Sequence, residues 1–492
     1  MLLVSPQTPM TFWSLKHAVR FVSRRAAFPP LGLLTVAALL PRSWNLRVVD
    51  MDVHRLRDSD LRWADYVLVG AMIVHKQSIE EEIIPRCKRM NRSIIGGGPL
   101  FTTGYDDYAA DVHAVCGECE DIIDDVIHDM EAGTLRPKYQ SANGFPDLLN
   151  TPVPRWDLIN IRHYATMSIQ MSRGCPFDCE FCDIVIMNGH KPRTKSPSQM
   201  LAELDALHFA GWQGTVFFVD DNFIGNKKLV KEFLRKLVAW RKIRRPQIDF
   251  ITEASVNLAD DQELMDLMAA AGFHRVFIGI ETPSADSLLE AKKVQNTHGD
   301  LAEKVQAVQR SGMEVMGGFI VGFDSDPQEI FQLQFDFIQK TGIAAAMVGL
   351  LTALPKTKLY HRLLGEGRLD TQSQTTGNNT QAVLNFIPKL DREFLLNGYK
   401  RLMWKLYEPK AYYRRALTFL KVYRPRGPTL KLTAGDIRAF FRSLWVMGIL
   451  HRGRTAFWRY LAIVLLRHPR KLPPAIALAI HGFHYRMVAK RL

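Results

Sequence analysis

The segment Cys175-Pro-Phe-Asp-Cys179-Glu-Phe-Cys182 follows a short apolar run, Met167–Met171, and precedes Ser196-Pro197-Ser198-Gln199. The run predicts a strand. The Ser, Pro and Gln predict a helix start, with an N-cap, a proline in the first turn and a capping-box partner. The same alternation continues downstream. Thr215–Val219, Ile248–Thr252, Arg275–Ile280, Val315–Val321 and Ala345–Leu351 read as strands, with helix-like stretches between them. Asp326-Pro327-Gln328-Glu329 repeats the helix-start pattern. Six β/α units over residues 166–365 predict a partial (β/α)6 barrel, with its chemistry at the carboxyl ends of the strands. Polar residues gather at those ends: Asp220-Asp221-Asn222, Glu253 with Ser255 and Asn257, Glu281-Thr282, and Gly322-Phe323-Asp324.

Upstream, residues 1–135 also alternate. Leu2-Leu3-Val4, Leu46–Val49, Tyr66–Val69, Ser93-Ile94-Ile95 and Val112–Val115 read as strands, and Leu31–Leu40, Ser78–Met90 and Asp121–Met130 as helices. Five alternations predict an α/β domain with a doubly wound, flavodoxin-like parallel sheet. Gly70, Gly96-Gly97-Gly98 and Gly117 follow strands. They serve either as tight turns or as backbone that approaches a ligand in the crevice. Residues 136–165 hold four prolines and little periodicity, which predicts a linker. Residues 366–492 become Arg- and aromatic-rich at helical spacing, a third and helical segment.

Composition narrows the class. The 492 residues are 47% apolar and 23% charged, which excludes a disordered or collagen-like chain. Six cysteines are too few for a disulfide framework. The start, Met-Leu-Leu-Val-Ser-Pro, lacks the charged beginning and apolar run of a signal peptide. No apolar run reaches the roughly 18 residues of a membrane span, so a cytoplasmic protein is expected. The net charge of +14 is unevenly spread: residues 400–492 hold 21 Lys/Arg against Glu408 and Asp436, leaving the remainder slightly acidic. A polyanionic partner is therefore expected at the C-terminal end.

The cysteine spacing carries the chemistry. Such a loop can wrap three thiolates around one face of an iron–sulfur cube, leaving the fourth iron open to a small molecule. A structural zinc would need a fourth ligand, for which His190 is nearest. CxxxCxxC behind the first strand of a β/α barrel, with Phe181 before the last cysteine, resembles the radical S-adenosylmethionine superfamily. The resemblance implies a [4Fe-4S] cluster on Cys175, Cys179 and Cys182 whose open iron chelates S-adenosylmethionine. An electron from the cluster then breaks the sulfonium bond and gives a 5′-deoxyadenosyl radical. It further implies that Asp220, Asp221 and Asn222 serve the methionine amine, Glu253 and Ser255 the ribose, and Glu281 and Gly322 the adenine side. A helix N-cap is the plainer role for each carboxylate.

The domain order resembles the cobalamin-binding class of that superfamily. On that resemblance, Gly96, Gly97, Gly98, Gly117 and Glu118 pass close to the corrin and its nucleotide tail. Asp52-Val-His54 lacks the later glycine of Asp-x-His-x-x-Gly, so cobalamin is expected without a His ligand and His54 at the surface. Cys116 and Cys119 read as incidental. The stretches Cys182–Lys195 and Phe218–Asn226 resemble the subgroup containing hopanoid C-2 methylases. Together these resemblances imply a cobalamin-dependent radical C-methyltransferase acting on an unactivated carbon of an apolar, hopanoid-like lipid, with an electron donor of flavodoxin or ferredoxin type. Cyclisation or rearrangement without methyl transfer stays open.

The C-terminal pattern, Phe440-Phe441-Arg442-Ser-Leu-Trp445 and Phe457-Trp458-Arg459-Tyr460 through Arg467, suits helices lying on an anionic bilayer. Peripheral contact with the inner face of the membrane is expected from it. A helical domain packed on the barrel, with its arginines in water, is the alternative. RNA modification through the basic tail is another, but the long aliphatic runs favour lipid over nucleic acid.

Overall fold

The computed structural model describes residues 1–370, 373, 377, 378, 380–428 and 430–492. Six strands, β1 (Leu2–Ser5), β2 (Arg47–Asp50), β3 (Tyr66–Gly70), β4 (Ser93–Gly97), β5 (His113–Cys116) and β6 (Lys138–Gln140), form a parallel sheet in the order β2-β1-β3-β4-β5-β6. The first five fall on the apolar runs. The sixth corrects the reading of 136–165 as linker, because Lys138 pairs with Ala114 and extends the sheet. Only its middle residue, Tyr139, is buried, its hydroxyl donating to Asp129. A three-residue edge strand with one buried position has no periodicity to read.

The second sheet begins with β7 (Met167–Ile169). Next come the two-residue strands β8 (Ser172–Arg173) and β9 (Arg193–Thr194), then β10 (Gly214–Phe218), β11 (Ile248–Ala254), β12 (Phe273–Glu281), β13 (Glu314–Val321) and β14 (Ala346–Leu350). β7 and β10–β14 lie parallel in chain order with β7 and β14 at the edges, an incomplete barrel. β8 and β9 pair antiparallel as a clasp around the cysteine loop. The helix Pro197–Phe209 starts as predicted, with the Ser196 hydroxyl accepting from the Gln199 N–H and the Gln199 side chain accepting from the Ser196 N–H. The second start pattern is corrected: the helix begins at Ile330. Asp326 instead turns back to accept from the N–H groups of Gly322 (2.7 Å) and Phe323 (3.1 Å) and from the Ser287 hydroxyl.

The two faces of the barrel sheet pack differently. Toward the helices, Phe218 meets Phe223, Phe233, Phe250 and Phe273, ring pairs contributing about 0.5–1.5 kcal/mol each beyond their burial. On the opposite face Phe217 lies beside Ile251, and Glu253 beside Phe277. Trp13 stacks on Phe217 at 5.7 Å and leans on Phe277 at 5.3 Å. Residues 6–30 thus leave the first sheet, sending Trp13 and Phe28 onto the inner face of the barrel and Phe12 and Phe21 against Tyr485 and Phe483 of the C-terminal helix. Sequence reading places this aperiodic segment within the 1–135 α/β domain and gives it no element of its own. The open edge at β14 is covered by the helix Arg392–Tyr407, whose Tyr399 and Tyr407 hydroxyls donate to the Val348 and Ala346 carbonyls. A covered edge cannot pair with another chain. Four more helices, Pro409–Val422, Ala434–Trp445, Arg454–Arg467 and Leu472–Ala489, complete the C-terminal segment. Among the described residues no helix is long and apolar enough to cross a membrane.

Candidate functional site

The cysteine loop leaves β8 through Gly174 at φ +98°. The carbonyls of Asn188, Gly189 and Lys191 each lie 2.9 Å from where a Cβ would stand, so a side chain there is excluded twice over. Cys175 N–H donates to the Gly189 carbonyl, which folds the loop onto that segment. Cys175, Cys179 and Cys182 are all free and half-buried. Burial raises the Cys175 thiol and pushes Cys182 to about 12. A cation opposes this. Half-buried Lys293 holds its Nζ 2.8 Å from Glu281 Oε1. Burial disfavours its charge, but the Glu281 carboxylate and then Cys179 and Cys182 keep it above its ordinary value. Gln295 donates to Cys179 Sγ at 3.8 Å, and Asn222 hydrogen-bonds Cys175. Phe181 rests on Phe323 with ring centroids 6.1 Å apart. His190 is exposed beside Asp178, and among the described residues no three His, Cys, Asp or Glu converge on a single-ion site.

The strand-tip residues take unequal roles. Asp220 is buried, and both its oxygens accept from the Met171 and Ser172 N–H groups and the Ser172 hydroxyl. Burial pushes it up to about 7. Its task is to hold the end of β7 against β10. Asp221 uses one oxygen, Oδ2, for the Gly174 N–H (2.9 Å) and the Asn188 amide (2.8 Å). Asn222 and Ser255 bond each other, and the Ser255 hydroxyl donates to Asn257. Glu281, at φ +62° on a β-bulge, is committed to Lys293. Gly322, at φ +109°, faces Leu395 and gives its N–H to Asp326. Glu253 stands apart, because among the described residues its carboxylate has no hydrogen-bond or ion-pair partner. Burial first, then the charges of Asp221 and Asp220, push it up to about 8.

At the first sheet the glycines divide in the same way. A Cβ on Gly96 would strike Val112 at 2.5 Å and Phe101 at 2.8 Å, and one on Gly98 would strike the Ala71 carbonyl at 2.7 Å. Both are glycine for internal packing. Gly97 meets only the Val115 carbonyl at 3.9 Å, and Gly117, at φ +85°, meets nothing within 4 Å. These two leave open space at the carboxyl end of the sheet. Glu118 is tied instead to Arg173 and Arg193 of the clasp, and Glu120 to Arg173 at 2.8 Å. The exit of β5 is thereby ionically joined to the residue preceding Gly174. His54 is exposed with its ring on His163, and Cys116 and Cys119 are free.

Residues 169–338 match the family model of the radical SAM superfamily, and residues 357–492 match a domain of unknown function, DUF4070. An uncharacterized methyltransferase of Synechocystis is 40% identical over 98% of this chain and 91% of its own length. The hopanoid C-2 methylase of Rhodopseudomonas palustris is 34% identical over 95% of this chain and 89% of its own. The chain belongs to the radical SAM methyltransferases. Its fold is shared by the radical S-adenosylmethionine methyltransferase TsrM from Kitasatospora setae, solved with cobalamin and a [4Fe-4S] cluster bound. There the TM-score is 0.64 at 16% identity, over 95% of this chain and 99% of that one.

Several residues of this radical SAM methyltransferase escaped sequence reading. Lys293, Gln295 and Asn296 come after the helix Ala285–Glu290 that follows β12, the last two on the short 3-10 turn Val294–Asn296, and carry no motif, yet Lys293 and Gln295 face the thiols. The Asn296 amide donates to the Gly279 and Ile280 carbonyls. The one available signal is a cation and two amides grouped within four residues after that helix. Arg173 and Arg193 flank the cysteine loop, but their partner Glu118 lies 55 and 75 residues away, beyond any local pattern.

Proposed function

We propose that this enzyme is a cobalamin-dependent radical S-adenosylmethionine C-methyltransferase that places a methyl group on an unactivated carbon of an apolar, hopanoid-like lipid. The observation that carries the reading is the meeting of three free thiols and one uncommitted carboxylate, Glu253, at the tips of β7 to β11. Three half-buried cysteines facing a lysine suit a [4Fe-4S] cluster, since the cation favours the thiolates that iron requires. Glu253 feels the charge of Asp221, and Glu253 with the remaining oxygen of Asp221 would offer acceptors to a cationic ligand with hydroxyl donors, which describes S-adenosylmethionine. The space over Gly97 and Gly117 fits a flat, close-lying cobalamin. When bound, these groups supply one-electron cleavage of a sulfonium carbon–sulfur bond and delivery of a methyl group to the carbon that has lost hydrogen.

The chain's own work is placement. Asp220 and Asp221 fix the start of the cysteine loop, through Met171, Ser172 and Gly174. Lys293 keeps a positive charge beside the sulfurs. Glu118 and Glu120, through Arg173, hold the first sheet's rim against that loop, which sets the distance between the two cofactor regions. Trp13, Phe217 and Phe277 exclude water from the barrel interior. A flavodoxin- or ferredoxin-type protein is the electron donor. The lipid substrate rests on the hopanoid C-2 methylase relative and on the apolar C-terminal surface, which implies peripheral membrane contact.

Cys179→Ala protein, reconstituted anaerobically with iron, sulfide and cobalamin, should form no 5′-deoxyadenosine and lose the visible absorption of the cluster. Undiminished 5′-deoxyadenosine would remove the loop from the reaction. With the wild-type enzyme, a product heavier by one CH₂ unit supports methyl transfer, whereas unchanged mass or lost hydrogen overturns it.

A further inference from the structure

The helix Ala434–Trp445 runs into a π-helical turn, Val446–Leu450, and then the helix Arg454–Arg467. Along the first helix and into the turn, Ile437, Phe441, Trp445 and Ile449 recur every four residues and are all exposed, Phe441 by 62% and Trp445 by 58%. The opposite positions Ala439, Ser443 and Met447 are buried. The second helix repeats the arrangement. Phe457, Tyr460, Leu461 and Val464 face inward, while Trp458, Leu465 and Leu466 face out, Leu466 by 84%. The two outward stripes adjoin, because Trp458 Nε1 donates to the Gly448 carbonyl at 2.9 Å. Eight large apolar side chains, with Leu450, therefore stand in water within residues 437–466. A contiguous patch of that kind marks a contact surface.

Charge identifies the partner. After Asp436 the chain contains no Asp or Glu, and residues 437–492 carry 11 Lys/Arg. Arg452, Arg454, Arg459 and Arg467 are exposed around the stripes. Indole and phenyl rings with arginines beside them match the depth profile of a bilayer interface: rings among the headgroups, aliphatics below, guanidinium groups on phosphates. RNA would satisfy the arginines but leave Ile437, Ile449, Leu450 and Leu466 in water. The face is also anchored to the catalytic body, since Arg442 donates to the Arg20 carbonyl and the Ser23 hydroxyl. The same 6–30 segment carries Trp13 into the barrel.

We infer that the surface spanning Ile437 to Leu466 docks on an anionic lipid bilayer, lying in its interface. This deepens the proposed function, because a lipid substrate must be drawn from a membrane, but its test requires no turnover.

The test is co-sedimentation of the full chain with phosphatidylcholine vesicles, with and without phosphatidylglycerol, alongside tryptophan emission. Binding should need the anionic lipid, weaken with salt and shift the emission to the blue. The variant F441S/W445S/L466S should bind roughly tenfold or more weakly. R454Q/R459Q/R467Q should lose the preference for phosphatidylglycerol. Circular-dichroism melts confirm that each variant folds; should one fail, the wild-type lipid, salt and emission dependence decides alone. Three results overturn the proposal: no vesicle binding by the wild type, tight tRNA capture without vesicle binding, or a lipid-free dimer that the stripe variant converts to monomer. Vesicle binding without methylation of any lipid would leave this surface standing and remove only the substrate reading.

Discussion

Glu118→Ala offers the sharpest test of how the two sheets are held together. The Glu118 side chain is only 7% exposed and accepts from Arg173 at 2.5 Å and from Arg193 at 3.0 Å. Removing one member of a buried, hydrogen-bonded charge set costs about 3–5 kcal/mol when the partner is left alone. Here neither guanidinium is left alone. Arg173 keeps Glu120 at 2.8 Å and Gln170 at 2.9 Å, and Arg193 keeps the Asn188 carbonyl at 3.1 Å as well as that of Pro146. The loss should therefore fall to about 2 kcal/mol, and Glu118→Gln, which retains acceptor shape without charge, should lose about half of that. In thermal unfolding the alanine variant should melt about 2 °C lower. In reconstituted enzyme, methylated product should fall more than 5′-deoxyadenosine does, because the cofactor regions lose their fixed spacing. Should the variant melt within a degree of wild type while cobalamin affinity drops, Glu118 touches the corrin and the clasp is not the join.

Single groups carry the other expectations. Glu253 is held at about 8 in the fold, against about 4.3 in an unfolded chain. The folded state therefore binds the extra proton between those values, and stability falls as pH rises through that window. Cofactor-free Glu253→Gln should melt with wild type at pH 5 but a few degrees above it at about pH 8.5; matching curves throughout would refute the uncommitted carboxylate. Added S-adenosylmethionine should narrow the gap by supplying a positive charge. Gly398→Ala would place a Cβ 2.0 Å from the Phe331 ring, itself packed on Phe394 with centroids 5.6 Å apart. Strain there should outweigh the gain in helix propensity and cost about 1–2 kcal/mol, read by urea unfolding; an unchanged midpoint would mean that Phe331 can yield. Cys179→Ala should remove the cluster's absorption and 5′-deoxyadenosine together, and loss of one without the other would separate this thiol from the cleavage.

Strand and helix alternation was legible because it is local. An apolar run between turn residues, or Ser196 and Gln199 three apart, satisfies its own backbone wherever the chain goes. The cysteine spacing is local too, which is why it could be read as a ligand loop before any fold existed. Its neighbours could not be ranked that way. Asp220, Asp221, Glu253 and Glu281 look alike along the chain, but tertiary contacts commit Asp220 to backbone N–H groups and Glu281 to Lys293, and leave Glu253 open. Gly96 and Gly117 are the same residue type, yet one is crowded by Val112 and the other faces empty space. Trp13 in the barrel, Glu118 on Arg173 and Tyr407 on β14 all join segments far apart in sequence. Only the packed chain decides such pairings, because burial and charge depend on what lies across a gap rather than on what comes next.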